Sequence, residues 1–318
     1  MKNKKVLVLG GAGFIGSHLV DSLIEEGADV LVIDNLFLGK HMNVNKNAKF
    51  IKMDVCDENL YGYVSNFNPD VVYNLAVLPL PHSLIFPLEN VRTNVKIVQI
   101  LCEFVRRGWI KKLIHFSSSE VYGSAQYSPM CEDHPWKAST PYAASKAAGD
   151  MICLSYVSTF DCNISIIRPF NNYGPRQNAG SYAGIIPLTI NRILQNESLV
   201  VYGDGNQTRD YIYVKDTALA AVMMGKRDDL KGEVFNVASG HEYSVNWLIT
   251  EIQKTMDNFY SIPEYSNAWV VKHQSQRPGD VRRHVANMMK AKDKLGFEHK
   301  TSMLTGLKET IKWYKEQL

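Results

Sequence analysis

The stretch Lys5-Val6-Leu7-Val8-Leu9-Gly10-Gly11-Ala12-Gly13-Phe14-Ile15-Gly16 decides how this chain folds. An apolar run of strand composition breaks into glycines, and residues 17–26 then carry apolar positions at helical spacing. Strand, glycine turn and helix in that order bring backbone N–H groups and a helix N-terminus to one point, the arrangement that receives a pyrophosphate. A glycine run alone says little, because a purely structural βαβ turn uses one too. Here a second apolar run, residues 29–33, ends in Asp34, placed to accept hydrogen bonds from an adenosine ribose. A carboxylate there repels a 2′-phosphate, so NAD is favoured over NADP. Gly10, Gly13, Phe14, Ile15, Gly16, Asp34 and the adjoining Asn35 form the first candidate set. Asp54-Val55 follows the run 50–53 and is a candidate adenine contact, although an acid after a strand is more often a turn former.

The next strand, residues 71–76, ends in Leu75-Ala76, which the same logic places beside the cofactor at the carboxyl edge of a sheet. Residues 77–83 hold Pro79 and Pro81 and are expected to be loop facing a substrate cleft. His82 is the titratable group in that loop; a lone loop histidine is usually only solvated, and a substrate role is the sharper alternative. Residues 94–107 have the spacing of a long amphipathic helix, and residues 112–116 that of a strand leading into Ser117-Ser118-Ser119-Glu120. Farther on, Ser139-Thr140-Pro141 is a helix start, which puts Tyr142 and Lys146 on one helical face. A lysine ammonium within a turn stabilises a phenolate and is expected to draw the tyrosine from its ordinary value near 10 toward neutrality. Ser118 can bond the same substrate hydroxyl. A Tyr-x-x-x-Lys spacing is commonly just a surface pair, and it is the surrounding motifs that make it catalytic here.

The chain has 318 residues, and its 35 Lys and Arg against 32 Asp and Glu leave a net charge of +3. That balance argues for no nucleic acid and no charged membrane surface as partner. The five cysteines show neither CxxC nor paired Cys/His spacing, so free thiols are expected and a metal site is not. Residues 6–9 are too short for a signal-peptide core, and no run reaches the length of a membrane span, which points to a soluble cytoplasmic protein.

The glycine motif, Asp34, Asn94, Ser117 to Gly123, Tyr142 to Lys146, Arg168-Pro169-Phe170-Asn171-Asn172-Tyr173-Gly174-Pro175-Arg176 and Gly203 to Asp210 together resemble the extended short-chain dehydrogenase/reductase family. Within it the chain is similar to the nucleotide-sugar epimerases, dehydratases and decarboxylases, from residue 5 to about 285. Leu9 departs from the threonine usual before the glycines, which puts one hydrogen bond in doubt. The resemblance implies an α/β fold: a doubly wound parallel Rossmann sheet with a smaller C-terminal substrate-binding α/β part. Residues 1–167, rejoined by 212–237, would hold NAD; residues 168–211 and 238–318 would hold a nucleotide-diphosphate sugar. It further implies Asn94, Ser117 and Pro169 at the cofactor and Ser118, Ser119 and Asn171 at the sugar or phosphate. Ile186 and Tyr202 would flank the base, and Arg209 and Arg277 would grip the diphosphate, guanidinium forks being matched to phosphate oxygens. A homodimer packed through residues 94–107 and 142–159 is expected by the same resemblance.

The shared first step is expected to be removal of the C4 hydroxyl proton by Tyr142 as hydride leaves C4, giving a 4-keto sugar. Glu120 discriminates among the fates of that ketone. A carboxylate at C5 can take the proton acidified by the ketone and drive loss of water from C6. Ser118-Ser119-Glu120 resembles the triplet of GDP-mannose and amino-sugar 4,6-dehydratases, with Ser119 where dTDP-glucose dehydratases have Asp. On this balance a 4,6-dehydratase is expected, acting on an N-acetylhexosamine in one version. A 4-epimerase with a structural Glu120 stands second and a UDP-glucuronate-type decarboxylase third. A non-catalytic NAD-binding sensor is disfavoured by the presence of Tyr142 and Lys146.

Overall fold

The computed structural model describes the chain apart from residues 181–182, 264–265, 276–280 and 318. The N-terminal half alternates strand and helix: β1 (Lys5–Leu9), α1 (Phe14–Glu25), β2 (Asp29–Asp34), β3 (Lys49–Lys52), α2 (Leu60–Phe67), β4 (Val71–Asn74), α3 (Leu80–Ile85), α4 (Pro87–Arg106), β5 (Leu113–Phe116), α5 (Pro141–Phe160) and β6 (Ile164–Pro169). The rest comprises β7 (Asn171–Tyr173), α6 (Ile185–Leu194), β8 (Leu199–Tyr202), β9 (Thr208–Tyr213), α7 (Val214–Lys226), β10 (Val234–Val237), β11 (Glu242–Ser244), α8 (Val245–Tyr260), β12 (Val271–Gln274) and α9 (Met303–Glu316).

Seven strands form one parallel sheet in the order β10-β6-β5-β4-β1-β2-β3. Its strands are apolar on both faces because both are covered. In β1, Val6 and Val8 pack toward α1 and α7, while Leu7 and Leu9 face the side of α2, α4 and α5. Strand order reverses between β1 and β4, so a crevice opens at their carboxyl ends. The remaining strands make a three-stranded sheet, β11-β9-β7, and a β12-β8 pair, backed by a separate core of Tyr173, Ile190, Leu248, Ile252 and Leu307. Asp210 ties the parts together. Its carboxylate accepts hydrogen bonds from Ser239 N and Oγ, Gly240 N and Ala286 N.

Two local expectations are corrected. Of residues 77–83, read as loop from their prolines, 80–83 belong to the helix Leu80–Ile85: Pro81 stands in the first turn, where a missing N–H costs nothing. The next helix starts at Pro87, seven residues before the expected Asn94, again with proline at the first position and Glu89 in the first turn. The five cysteines are free thiols. No described helix is long and apolar enough to cross a membrane.

Candidate active site

At the crevice lies a cavity of about 530 Å³. Its floor is the glycine turn. Gly10 takes φ +80° and packs so closely on β4 that a Cβ there would stand 2.8 Å from Ala76 N. A Cβ on Gly16 would meet the Gly10 carbonyl oxygen at 2.2 Å, so glycine lets α1 start directly against the turn. No side chain caps α1, and Phe14, Ile15 and Gly16 bring its first-turn N–H groups to the cavity wall. Asp34 closes the far end of β2. Its Oδ2 accepts from Ala12 N at 3.0 Å and its Oδ1 from Leu36 N at 2.8 Å. Burial pushes its carboxyl up, against the pull of those two N–H groups. An uncapped helix start over a glycine floor, with a carboxylate at the end of β2 lining the same cavity, fits NAD. Gly10, Gly13, Phe14, Ile15, Gly16 and Asp34 would hold it.

Asn35, Asp54, Val55, Leu75, Ala76, Ser117, Ser118, Tyr142, Lys146 and Pro169 line the same cavity. Tyr142 and Lys146 stand at the start of α5, capped by Thr140, whose Oγ1 accepts from Ala143 N at 3.2 Å. Lys146 is buried and its Nζ donates to the Phe116 carbonyl. Burial lowers its ammonium to about 8, with Asp150 and Cys153 pulling it back up. For Tyr142 the expected direction is overturned. Burial raises the phenol to about 12, the Glu120 charge raises it further, and only the hydrogen bond with Ser118 lowers it. Tyr142 is half-buried, and loss of hydration is the leading cause of that rise, while Lys146 directs a proton to Phe116.

Other candidates lie off the cavity wall. Asn94 is buried, and its side chain is committed to the loop before α3: Leu78 N donates to its Oδ1, and its Nδ2 donates to Leu78 O and Ser145 Oγ. It shapes the wall and does not form it. His82 is 3 % exposed, not solvated; it packs edge-on to Phe37 with Nε2 3.7 Å from Glu89. Ser119 is buried, and Glu120 is half-buried in the 3-10 turn Ser119–Tyr122, where Ser118 Oγ accepts its N–H at 3.2 Å. Asn171 Nδ2 donates to Asp210 O at 3.4 Å. Ile186 is 1 % exposed inside the C-terminal core, so the residue expected beside a base is a core residue; its neighbour Ile185 is the half-buried one. Tyr202 ends β8, and Arg209 on β9 donates from Nη1 to Thr208 O at 2.9 Å. Arg277 lies outside the described residues.

Sequence reasoning missed Thr93, Asn172, Arg176, Gln177 and Asn178, which also line the cavity. Arg176 holds φ +66° and bonds Asp21 of α1 at 2.7 Å, while His18 meets Pro175 O at 2.9 Å. That strap brings residues 172–178 over the helix start.

Known proteins share this geometry. Residues 6–238 match the NAD dependent epimerase/dehydratase family. The chain is 34% identical over 312 residues, 98% of each chain, to a putative UDP-glucose 4-epimerase of Methanocaldococcus jannaschii. It is 31% identical to a dTDP-glucose 4,6-dehydratase of Streptomyces niveus, covering 98% of this chain and 93% of that one. A solved UDP-N-acetylglucosamine 4-epimerase of Methanobrevibacter ruminantium M1, in complex with UDP-N-acetylmuramic acid, superposes with a TM-score of 0.91 at 37% identity over 100% of both chains. Motif order, sheet topology and these matches agree: the chain belongs to the NAD dependent epimerase/dehydratase family and is an NAD-dependent enzyme.

Proposed function

We propose that this enzyme is a 4-epimerase of a uridine diphosphate hexose. At the coarser level, the chain is an NAD-dependent nucleotide-sugar-modifying enzyme. The carrying observation is the make-up of the wall around Tyr142. Phe116, Ser117, Ser118, Lys146 and Pro169 line the cavity with Tyr142, whereas Glu120, half-buried in the 3-10 turn, acts on Tyr142 by its charge and does not line the cavity. Ser119, at the position of an expected second acid, is buried with its carbonyl 3.2 Å from His284 Nε2. Elimination needs a carboxylate at C5 and an acid for the departing water; epimerisation needs neither. The epimerase names of the similar proteins support the same choice and the uridine base.

NAD bound in this cavity supplies reversible acceptance of hydride from C4. Tyr142 removes the C4 hydroxyl proton and returns it to the alkoxide after the sugar has turned over. Ser118, in hydrogen-bond contact with Tyr142, orients that hydroxyl. Lys146, fixed by Phe116 O, holds positive charge beside the phenolate as it forms. Glu120 contributes a negative charge close to Tyr142 and a fold-stabilising turn.

Incubation of the holoenzyme with UDP-glucose and with UDP-N-acetylglucosamine tests this by mass and sugar configuration. A product of unchanged mass and inverted C4 is expected, and Glu120→Gln should keep that activity within about tenfold. Loss of water from either substrate, abolished in Glu120→Gln, would establish the dehydratase instead.

A further inference from the structure

Behind Lys146 the protein buries a second charge that epimerisation itself does not call on. Asp150 lies one helical turn after Lys146 on α5 and is 0 % exposed. Its Oδ2 accepts from Arg168 Nε at 2.9 Å. Its Oδ1 has no partner at hydrogen-bond geometry and faces His115 Nε2 at 4.0 Å. Buried carboxylate oxygens are rarely left without a donor. Here one oxygen of the carboxylate is committed to the arginine and the other faces His115 of β5, with Lys146 one helical turn away on the same helix. Burial pushes the carboxyl up, against the pull of the Arg168 and Lys146 charges.

The surroundings fix this arrangement. Arg168 is 1 % exposed, donates also to Tyr122 OH at 2.7 Å and Glu132 O at 3.1 Å, and lies between the rings of Tyr122 and Trp136. It has no freedom to swing away. His115 Nδ1 lies 3.1 Å from Asn74 Nδ2, and its Nε2 faces Asp150. Gly149 gives the ring room, because a Cβ there would stand 3.3 Å from His115 Nε2. Burial and the charge of Lys146 hold His115 well below its ordinary value, so the ring is neutral and does not compete for the carboxylate.

We propose that Asp150 is a positioning residue for catalysis: it is the buried counter-charge that keeps Lys146 protonated beside Tyr142, while Arg168 keeps Asp150 itself ionised and in place. The proposal rests on the assignment of Tyr142 and Lys146 as the proton-transfer pair. Several elements pack on this part of α5 and bring titratable groups to it. The helix itself contributes Tyr142 and Cys153, β5 contributes His115, β6 contributes Arg168, and the 3-10 turn contributes Glu120 and Tyr122. From α4 comes Cys102, its Sγ 3.9 Å from that of Cys153. The histidine of α3, His82, faces Glu89 instead. Among these, Asp150 is the carboxylate whose charge acts on Lys146. Its removal therefore lowers the pH at which Lys146 loses its proton, and with it the alkaline limb of activity.

The test uses holoenzyme labelled with 13C-lysine, the Lys146 signal being assigned by its absence from Lys146→Met. Asp150→Asn leaves a buried guanidinium unpaired and is apt to unfold, so Asp150→Asn/Arg168→Met, which removes both charges, is measured beside it. The Lys146 midpoint should fall by about one pH unit from that of the parent, and the alkaline limb of kcat for UDP-glucose should move with it. KM should stay unchanged, and Asp150→Glu should restore the limb. A double variant with lowered Tm and an unmoved Lys146 midpoint overturns the proposal and leaves Asp150 a merely structural partner of Arg168. A parent that does not turn over UDP-glucose counts against the epimerase reading alone, since the lysine titration still decides the role of Asp150.

Discussion

At the scale of single residues, the proton-transfer pair carries the clearest expectation. Tyr142→Phe removes the O–H while keeping the ring that packs at the start of α5. Turnover should fall by about 10²–10⁴, with bound NAD retained, measured as nucleotide released on denaturation beside initial rates. Undiminished turnover would remove Tyr142 from its role. The pair was legible in the sequence because Tyr142, Lys146 and Ser118 follow local rules: a proline helix start, a spacing of four, a strand end. The raised phenol was not. It depends on how deeply α5 is buried and on where Lys146 directs its proton, and neither is encoded in spacing. Asn94 shows the same limit from the other side. A polar residue on the inner face of a helix signals a site, yet here tertiary packing commits it to Leu78 and Ser145.

Among the elements, the turn between β1 and α1 is the most exacting. Gly16→Ala would drive a Cβ against the Gly10 carbonyl, a backbone group with nowhere to retreat. A loss of about 1–3 kcal/mol in stability is expected, with NAD affinity down at least tenfold, read by thermal unfolding and by nucleotide content. Parent-like values in both would show that the turn can open. This element was readable because its glycines and both flanking apolar runs are contiguous. The helix α3 was not, since Pro79 and Pro81 signal loop unless one already knows that the second falls in a first turn. The strap of residues 172–178 was equally hidden: Arg176 reaches the cavity through a left-handed backbone and an ion pair to Asp21, a partner 155 positions away in sequence.

On the scale of the whole molecule, three buried histidines link folding to acidity. Burial lowers His18 to about 4 and His284 to about 3, and His115 lies well below its ordinary value. The unfolded chain takes up protons on these rings near pH 6.5 while the native chain does not. Their contribution is therefore complete above pH 6.5 and is lost as pH falls toward 4, at about 1.4 kcal/mol per pH unit for each ring. The thermal midpoint should drop steeply between pH 6.5 and 5, and His18→Gln should flatten that drop. An unchanged slope in that variant would show that His18 is not one of the groups responsible.

The order of the large sheet also bears on how the protein is made. Its edge strand β10 ends at Val237, yet it pairs with β6, which ends at Pro169. A ribosome that has delivered β1 through β6 has produced a sheet whose β6 edge still lacks its partner, and the chain must pass through β7, β8 and β9 before β10 emerges. During that interval the nascent protein presents a ready-made template for pairing with a neighbour. Premature termination before residue 237 should thus yield a sticky fragment, not a free-standing nucleotide-binding half.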